Sequence, residues 1–164
     1  MDLPKRKNLR LENYDYSQNG GYFVTICTHE RSHVFGEVTG NVVGANLCVR
    51  PNEPDKMVLK WLFEIENKYP GTKIDYYIVM PDHLHFILFK TGAHTGAPLQ
   101  EIVKWFKTQT TNEYIKGVKI GLYEPFNRHL WQRGYFEHII RNQQDLDEIR
   151  RYIENNPAKW VLEK

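Results

Sequence analysis

The segment Met80-Pro81-Asp82-His83-Leu84-His85-Phe86-Ile87-Leu88-Phe89 holds the two side chains best suited to chemistry. In an extended strand alternate side chains share a face. His83 and His85 therefore point the same way, close enough to grip one ion, while Leu84, Phe86 and Leu88 point into a core. Imidazoles buried without partners are costly, so the pair needs a reason. Metal ligation is one reason and phosphate binding another, and the motif alone does not choose between them. The plainer alternative is two core histidines satisfied by backbone or a carboxylate. A two-histidine phosphoesterase would need a second His-x-Ser/Thr copy, which the sequence lacks. A histidine-triad hydrolase would need a third histidine where Ile87 stands.

A second constellation is Arg150-Arg151-Tyr152-Ile153-Glu154-Asn155-Asn156-Pro157. On a helix Tyr152 and Asn156 are four residues apart and stack on one side. The apolar stripe of that helix is Leu146, Ile149 and Ile153. At 100° per residue, Tyr152 lies about 90° and Asn156 about 50° from the centre of the stripe. Both sit between core and solvent, where a side chain can enter a cleft. Read from the helix alone, a rim tyrosine and an asparagine ahead of a helix-stopping proline are the better explanation.

The elements that must position these groups follow from periodicity and turn signals. Tyr22–Thr28 is β-branched and aromatic after Gly20-Gly21, and reads as a strand. His33–Val38 reads as a short strand, and Asn46–Val49 as another within the ambiguous stretch 42–54. Val58, Trp61, Leu62, Ile65 and Tyr69 space a helix over Asp55–Tyr69, stopped by Pro70-Gly71. Lys73–Met80 and His83–Phe89 are strands joined by Pro81-Asp82, as a tight hairpin or bend. Thr91–Pro98 is a loop. Leu99–Tyr114 is a second helix, residues 116–129 are irregular, and Leu130–Ile140 is a last strand. Asp145–Asn156 is the last helix, with Asn142 as its N-cap and Pro157 as its stop. Short turns between strands and helices at the longer connections predict an α+β domain, with a mainly antiparallel sheet of about five strands and three main helices.

Composition bounds the function. The 164 residues suit one domain, 1–164, with residues 1–19 as a polar arm. Lys+Arg exceed Asp+Glu by 22 to 20, too mild a bias to signal nucleic-acid binding, so any basic surface comes from local clustering. No apolar run is long enough to span a membrane, and Met1–Lys7 lacks the apolar stretch of a signal peptide. Cys27 and Cys48 form no zinc pair or disulfide framework, which fits a cytoplasmic protein. No Walker loop or GxGxxG is present, which argues against use of nucleotide energy.

Taken together, the motifs resemble the single-tyrosine His-hydrophobic-His DNA transposases of insertion sequences, and within them the REP-associated tyrosine branch. The resemblance rests on Tyr22–Thr28, Met80–Phe89, Leu99–Thr110 with Phe106-Lys107, Trp131–Arg141 and Arg151–Pro157. It spans most of the chain, and segment 39–54 matches poorly. It implies a ferredoxin-like fold, in agreement with the element order. It implies that His83 and His85 ligate a divalent metal, Mg²⁺ or Mn²⁺, with Asn156 as third ligand and Tyr152 as nucleophile. Ligand softness alone also allows Zn²⁺ or Ni²⁺. Tyr135, on the Trp131–Ile140 stretch, is the competing nucleophile. A tyrosine near its usual pKa of about 10 is scarcely ionised at neutral pH, so a metal on the phosphate would have to help. Attack would release a 3′-hydroxyl and leave a 5′-phosphotyrosine, conserving the ester for rejoining without ATP.

The implied partner is single-stranded or hairpin DNA, bound by a monomer or a homodimer. Candidate contacts are Lys5, Arg6, Lys7 and Arg10 on the arm, Lys104 and Lys107 on the second helix, and Gln132 and Arg133. His29, His94, His129 and His138 read as structural or surface residues. A non-catalytic hairpin binder and a metal phosphoesterase using water are the alternative functions. The first reading carries a spatial expectation. Lys5–Arg10, Lys104 and Lys107 should share the side of the sheet where His83 and His85 emerge, with acids such as Glu64, Glu66, Asp145, Asp147 and Glu148 gathered elsewhere.

Overall fold

A computed structural model describes residues 13–16, 18–39, 48–50, 52–92 and 96–163. Lys5, Arg6, Lys7, Arg10 and His94 lie outside the described residues, as does most of the arm over 1–19.

The central sheet grows from the apolar runs. Strand β1 (Gly20–Cys27) pairs with β5 (His83–Lys90) on one side and β6 (Phe136–Ile140) on the other. Strand β4 (Thr72–Met80) pairs with the far side of β5, giving the order β4-β5-β1-β6, antiparallel throughout. Pro81-Asp82 makes a tight turn, with Met80 opposite His83. Helix α1 (Glu53–Lys68) joins β1 to β4, and α2 (Leu99–Lys119) joins β5 to β6. This β-α-β-β-α-β order is the ferredoxin-like α+β arrangement. Four strands build the central sheet; β2 (Glu37–Thr39) and β3 (Cys48–Arg50) form a separate ribbon.

Local chemistry fixes the helix ends. Asn52 and Asp55 form a reciprocal capping box at the start of α1. Gly71 closes the turn from α1 into β4 with φ 86, a left-handed conformation that glycine adopts without a Cβ clash. Val58, Leu62 and Ile65 of α1 and Ile102, Val103 and Phe106 of α2 are buried against Tyr22, Val24, Ile26, Leu84, Phe86 and Leu88. Each such side chain contributes about 1.5–3 kcal/mol by leaving water. Both helices therefore cover one face of the sheet.

The other face carries His83 and His85. It is covered by α3 (Gln143–Glu154), whose Leu146, Ile149 and Ile153 pack on Phe23 and Ile87 in a smaller cluster. Polar ties compensate for the thin core. The Arg150 guanidinium donates to both carboxylate oxygens of Asp75 on β4, at 2.9 and 2.7 Å. The Tyr76 hydroxyl donates to the Glu154 carboxylate. Asn142 caps the helix by accepting from the Asp145 N–H at 2.8 Å.

Several expected boundaries move, each for a local reason. Residues 33–36 are not strand: the Val34 and Phe35 N–H groups donate to the Pro81 carbonyl at 3.0 and 3.1 Å. The Gly36 N–H donates to the Asp55 carboxylate at 3.0 Å. Strand β6 begins only at Phe136, because the Gln132, Arg133 and Gly134 carbonyls turn toward the Lys107 ammonium. Helix α2 runs past Tyr114 to Lys119. Pro157 does not end the helical region. The chain breaks at Asn155 and restarts as α4 (Asn156–Leu162), where proline in a first turn forfeits no hydrogen bond. Among the described residues, no helix is long and apolar enough to cross a membrane.

Candidate active site

The β1–β5 register places Thr25 opposite His85 and Cys27 opposite His83. All four side chains line a cleft of about 770 Å³ on the α3 face. The two imidazoles lie edge to face with ring centroids 4.5 Å apart, and both residues are buried. Each is oriented through Nδ1: the His83 nitrogen lies 2.5 Å from Asp82 Oδ1, and the His85 nitrogen 2.7 Å from the Thr25 hydroxyl. That leaves both Nε2 atoms aimed at one group, the buried amide of Asn156. His83 Nε2 is 3.1 Å from Asn156 Oδ1, and Asn156 Nδ2 is 3.1 Å from His85 Nε2.

Burial, reinforced by the neighbouring His83 and by Arg31, pushes the His85 pKa down to about 3. His85 is therefore a neutral imidazole at physiological pH. His83 Nε2 and Asn156 Oδ1 lie 3.1 Å apart, and both are atoms that a divalent cation would take as ligands. The donor set of two imidazoles and an amide oxygen, with hydrogen-bonded outer nitrogens, fits such an ion. Among the described residues, no group of three His, Cys, Asp or Glu offers an alternative metal site.

Tyr152 stands beside this pair, one helical turn before Asn156. Its ring lies 5.4 Å from His85 and 6.0 Å from Phe23, and the residue remains 40 % exposed. Edge-to-face contacts with Phe23 and His85 hold the ring at the cleft. Tyr135, the competing candidate, packs against the larger core on the other face, with Lys107 Nζ 5.6 Å from its ring centre.

The cations are distributed differently from expectation. Helix α2 covers the face opposite the histidines, so Lys104 and Lys107 do not share their side of the sheet. Lys107 is further committed: its ammonium donates to the Gln132 and Gly134 carbonyls, both at 2.9 Å, and burial pushes its pKa down to about 8. Lys104, Lys107, Gln132 and Arg133 instead line a groove beside α2, together with Arg128 and without a carboxylate among the lining residues. Conversely, Asp145 and Glu148, expected away from the site, line the histidine cleft. Asp145 is paired there with His138 at 2.9 Å. His29 and His129, which lack sequence spacing, meet edge to face at 5.3 Å.

Five lining or supporting residues escaped the sequence reading: Thr25, Arg31, Asp82, Lys159 and Trp160. Asp82 adjoins His83 and was open to inspection. Thr25 is revealed only by strand register, and Lys159 and Trp160 only by the restart of the helix after Pro157. Arg31 Nε lies 3.5 Å from Asp82 Oδ2, and its Nη1 donates to Cys27 Sγ at 2.9 Å.

Comparison with known proteins places the chain in a family. The family model described as "Transposase IS200 like" matches residues 17–156. A Haemophilus influenzae protein of uncharacterized role is 29% identical over 167 residues, covering 94% of this chain and 89% of its own. A second from Haemophilus influenzae, named "Putative REP-associated tyrosine transposase", is 23% identical over 165 residues, covering 91% and 77%. In fold, the chain is similar to a REP-associated tyrosine transposase solved bound to a REP hairpin. The TM-score is 0.60 at 20% identity, with 92% of this chain and 73% of that one covered. It is also similar to a crystal structure from Deinococcus radiodurans described as a transposase. There the TM-score is 0.53 at 20% identity, with 89% and 95% covered.

Proposed function

Because the chain belongs to the IS200-like transposase family, we propose that it cuts and rejoins single-stranded DNA beside a hairpin through a 5′-phosphotyrosine on Tyr152. One observation carries the reading: Tyr152 lies 5.4 Å from His85, within the cleft where both Nε2 atoms converge on Asn156. His83, His85 and Asn156 would hold a divalent cation, Mg²⁺ or Mn²⁺, which when bound supplies Lewis-acid withdrawal of charge from the scissile phosphate. Asp82 and Thr25 keep the imidazoles turned inward. Tyr152 attacks the phosphorus, the 3′-oxygen leaves, and reversal by another 3′-hydroxyl reseals the strand. One ester replaces another, so no nucleotide cofactor is needed.

The hairpin duplex is assigned to the groove beside α2, where Lys104, Arg128 and Arg133 face phosphates with no lining carboxylate. Tyr135 lines that groove and Phe136 the cleft, so the two meet where β6 begins. A duplex on one side could pass its single-stranded tail to the other around this corner. The REP-associated relatives support a repetitive palindrome as the substrate.

The test is incubation with labelled hairpin DNA carrying single-stranded flanks, with Mn²⁺, followed by denaturing electrophoresis. A protein–DNA adduct is expected from the wild type and none from Tyr152→Phe. Cleaved DNA without an adduct would instead identify a phosphoesterase using water. Binding without either product would identify a hairpin-binding protein.

A further inference from the structure

Two Lys or Arg side chains line the histidine cleft, and they are placed differently. Arg31 is engaged by Asp82 and by the Cys27 sulfur, on the His83 side. Lys159 lies on α4, and its ammonium sits 4.5 Å from the centre of the Tyr152 ring. It makes no ion pair among the described residues. Of the carboxylates lining the cleft, Asp145 is held by His138 and the Arg141 N–H, Glu148 accepts from the Gln144 amide, and Glu163 stands four residues after Lys159 without an ion pair to it. Tyr152 thus has a cation over its ring at the edge of the open cleft.

We propose that Lys159 is a catalytic residue that neutralises the phosphoryl group as it passes onto Tyr152. The inference rests on the tyrosine-transfer reading above. In that step the Tyr152 oxygen–phosphorus bond forms and the bond from phosphorus to the 3′-oxygen breaks. The phenolic proton leaves to solvent, and the departing 3′-oxygen takes up a proton. The phosphodiester carries one negative charge before and after transfer. In between, the entering and leaving oxygens are both partly bonded, and the charge around phosphorus is greatest. The Lys159 ammonium over the Tyr152 ring would, within reach of the phosphoryl oxygens, interact more strongly with the transition state than with bound substrate, which is the condition for raising the rate. The cation–π contact keeps Lys159 over Tyr152 while no DNA is present.

The position makes a quantitative demand. Removing one preorganised charge-stabilising donor typically slows catalysis about 10²–10³-fold, and partial exposure here reduces that to about tenfold or more. Lys159→Gln should slow adduct formation at saturating hairpin DNA by at least about tenfold, and Lys159→Arg should recover most of it. Hairpin affinity, measured in a Tyr152→Phe background that cannot react, should change less than about twofold on adding Lys159→Gln. An unchanged adduct rate in Lys159→Gln overturns the proposal while leaving the tyrosine reading intact. So does a loss explained wholly by weaker binding, which would make Lys159 a DNA tether. A loss with a lowered Tm and no rescue by arginine also overturns it, as a packing defect. Absence of any adduct from the wild type overturns both.

Discussion

An imidazole becomes a dependable metal ligand only when its second nitrogen is held, and here each of the two is held by a different device. Asp82 grips His83 from the preceding residue, and Thr25 grips His85 from the neighbouring strand. Losing the carboxylate frees the His83 ring and lowers its basicity, so Asp82→Asn should weaken Mn²⁺ binding about 10–100-fold. Titration calorimetry of the purified variant checks this, with Thr25→Val expected to lie in the same direction. Asn156→Ala removes an amide donor and should abolish adduct formation with Mg²⁺ while leaving hairpin affinity within about twofold. The histidines and the Tyr152/Asn156 spacing are legible in sequence because strand and helix periods alone put them on common faces. Thr25 is not, since nothing in the order of residues tells which strand will lie beside which. Lys104 and Lys107 mislead for a related reason: their helix is read correctly, but a helix pattern does not say which face of the sheet it will cover.

The elements hold the two halves of the site with unequal strength. The histidine strand β5 is central and buried on both faces, whereas α3 rests on the smaller cluster around Phe23 and Ile87. Arg150–Asp75 therefore matters beyond its energy. A partly exposed bidentate pair is worth on the order of 1 kcal/mol, so Arg150→Ala should lower Tm by only about 2–4 °C. The same change releases the turn of helix next to Tyr152, and adduct formation should fall more than stability does. Thermal unfolding and adduct rate, measured on one preparation, separate the two effects. Long periodic segments such as α1 and α2 can be read from sequence because many residues vote together. The failures lie where one polar group redirects the backbone: Asp55 drawing Gly36 out of a strand, Lys107 gathering the carbonyls of 132–134, and Pro157 restarting a helix that it was expected to end.

At the scale of the whole molecule, Tyr152 lies against His85 of its own chain, so a single copy would suffice for the proposed reaction. A mixture of Tyr152→Phe with a His83→Ala/His85→Ala double variant should therefore form no adduct, and recovered activity in the mixture would reveal exchange of α3 between subunits. Stability should also report the buried Asp55, whose pKa burial raises from 3.8 to about 6 against the Gly36 and Asn52 N–H bonds that lower it. A raised carboxyl pKa means the folded state binds the extra proton. Its contribution is complete below pH 3.8 and is lost as pH rises through about 6. The span corresponds to about 3 kcal/mol at most. In Asp55→Asn, denaturant unfolding between pH 4 and 6 should lack this downward component. The pairing of Thr25 with His85, and of His85 with Asn156, has an outcome in biosynthesis. The proposed chemistry would need one residue from the first strand, two from the middle of the chain and two from beyond α3's midpoint. A ribosome must release the last helix before any of them can act together, and a strand slipped by one position would bury the imidazoles on the wrong side. Unfinished or misfolded copies would therefore lack the assembled cleft, and the proposed cleavage would report a correctly folded chain.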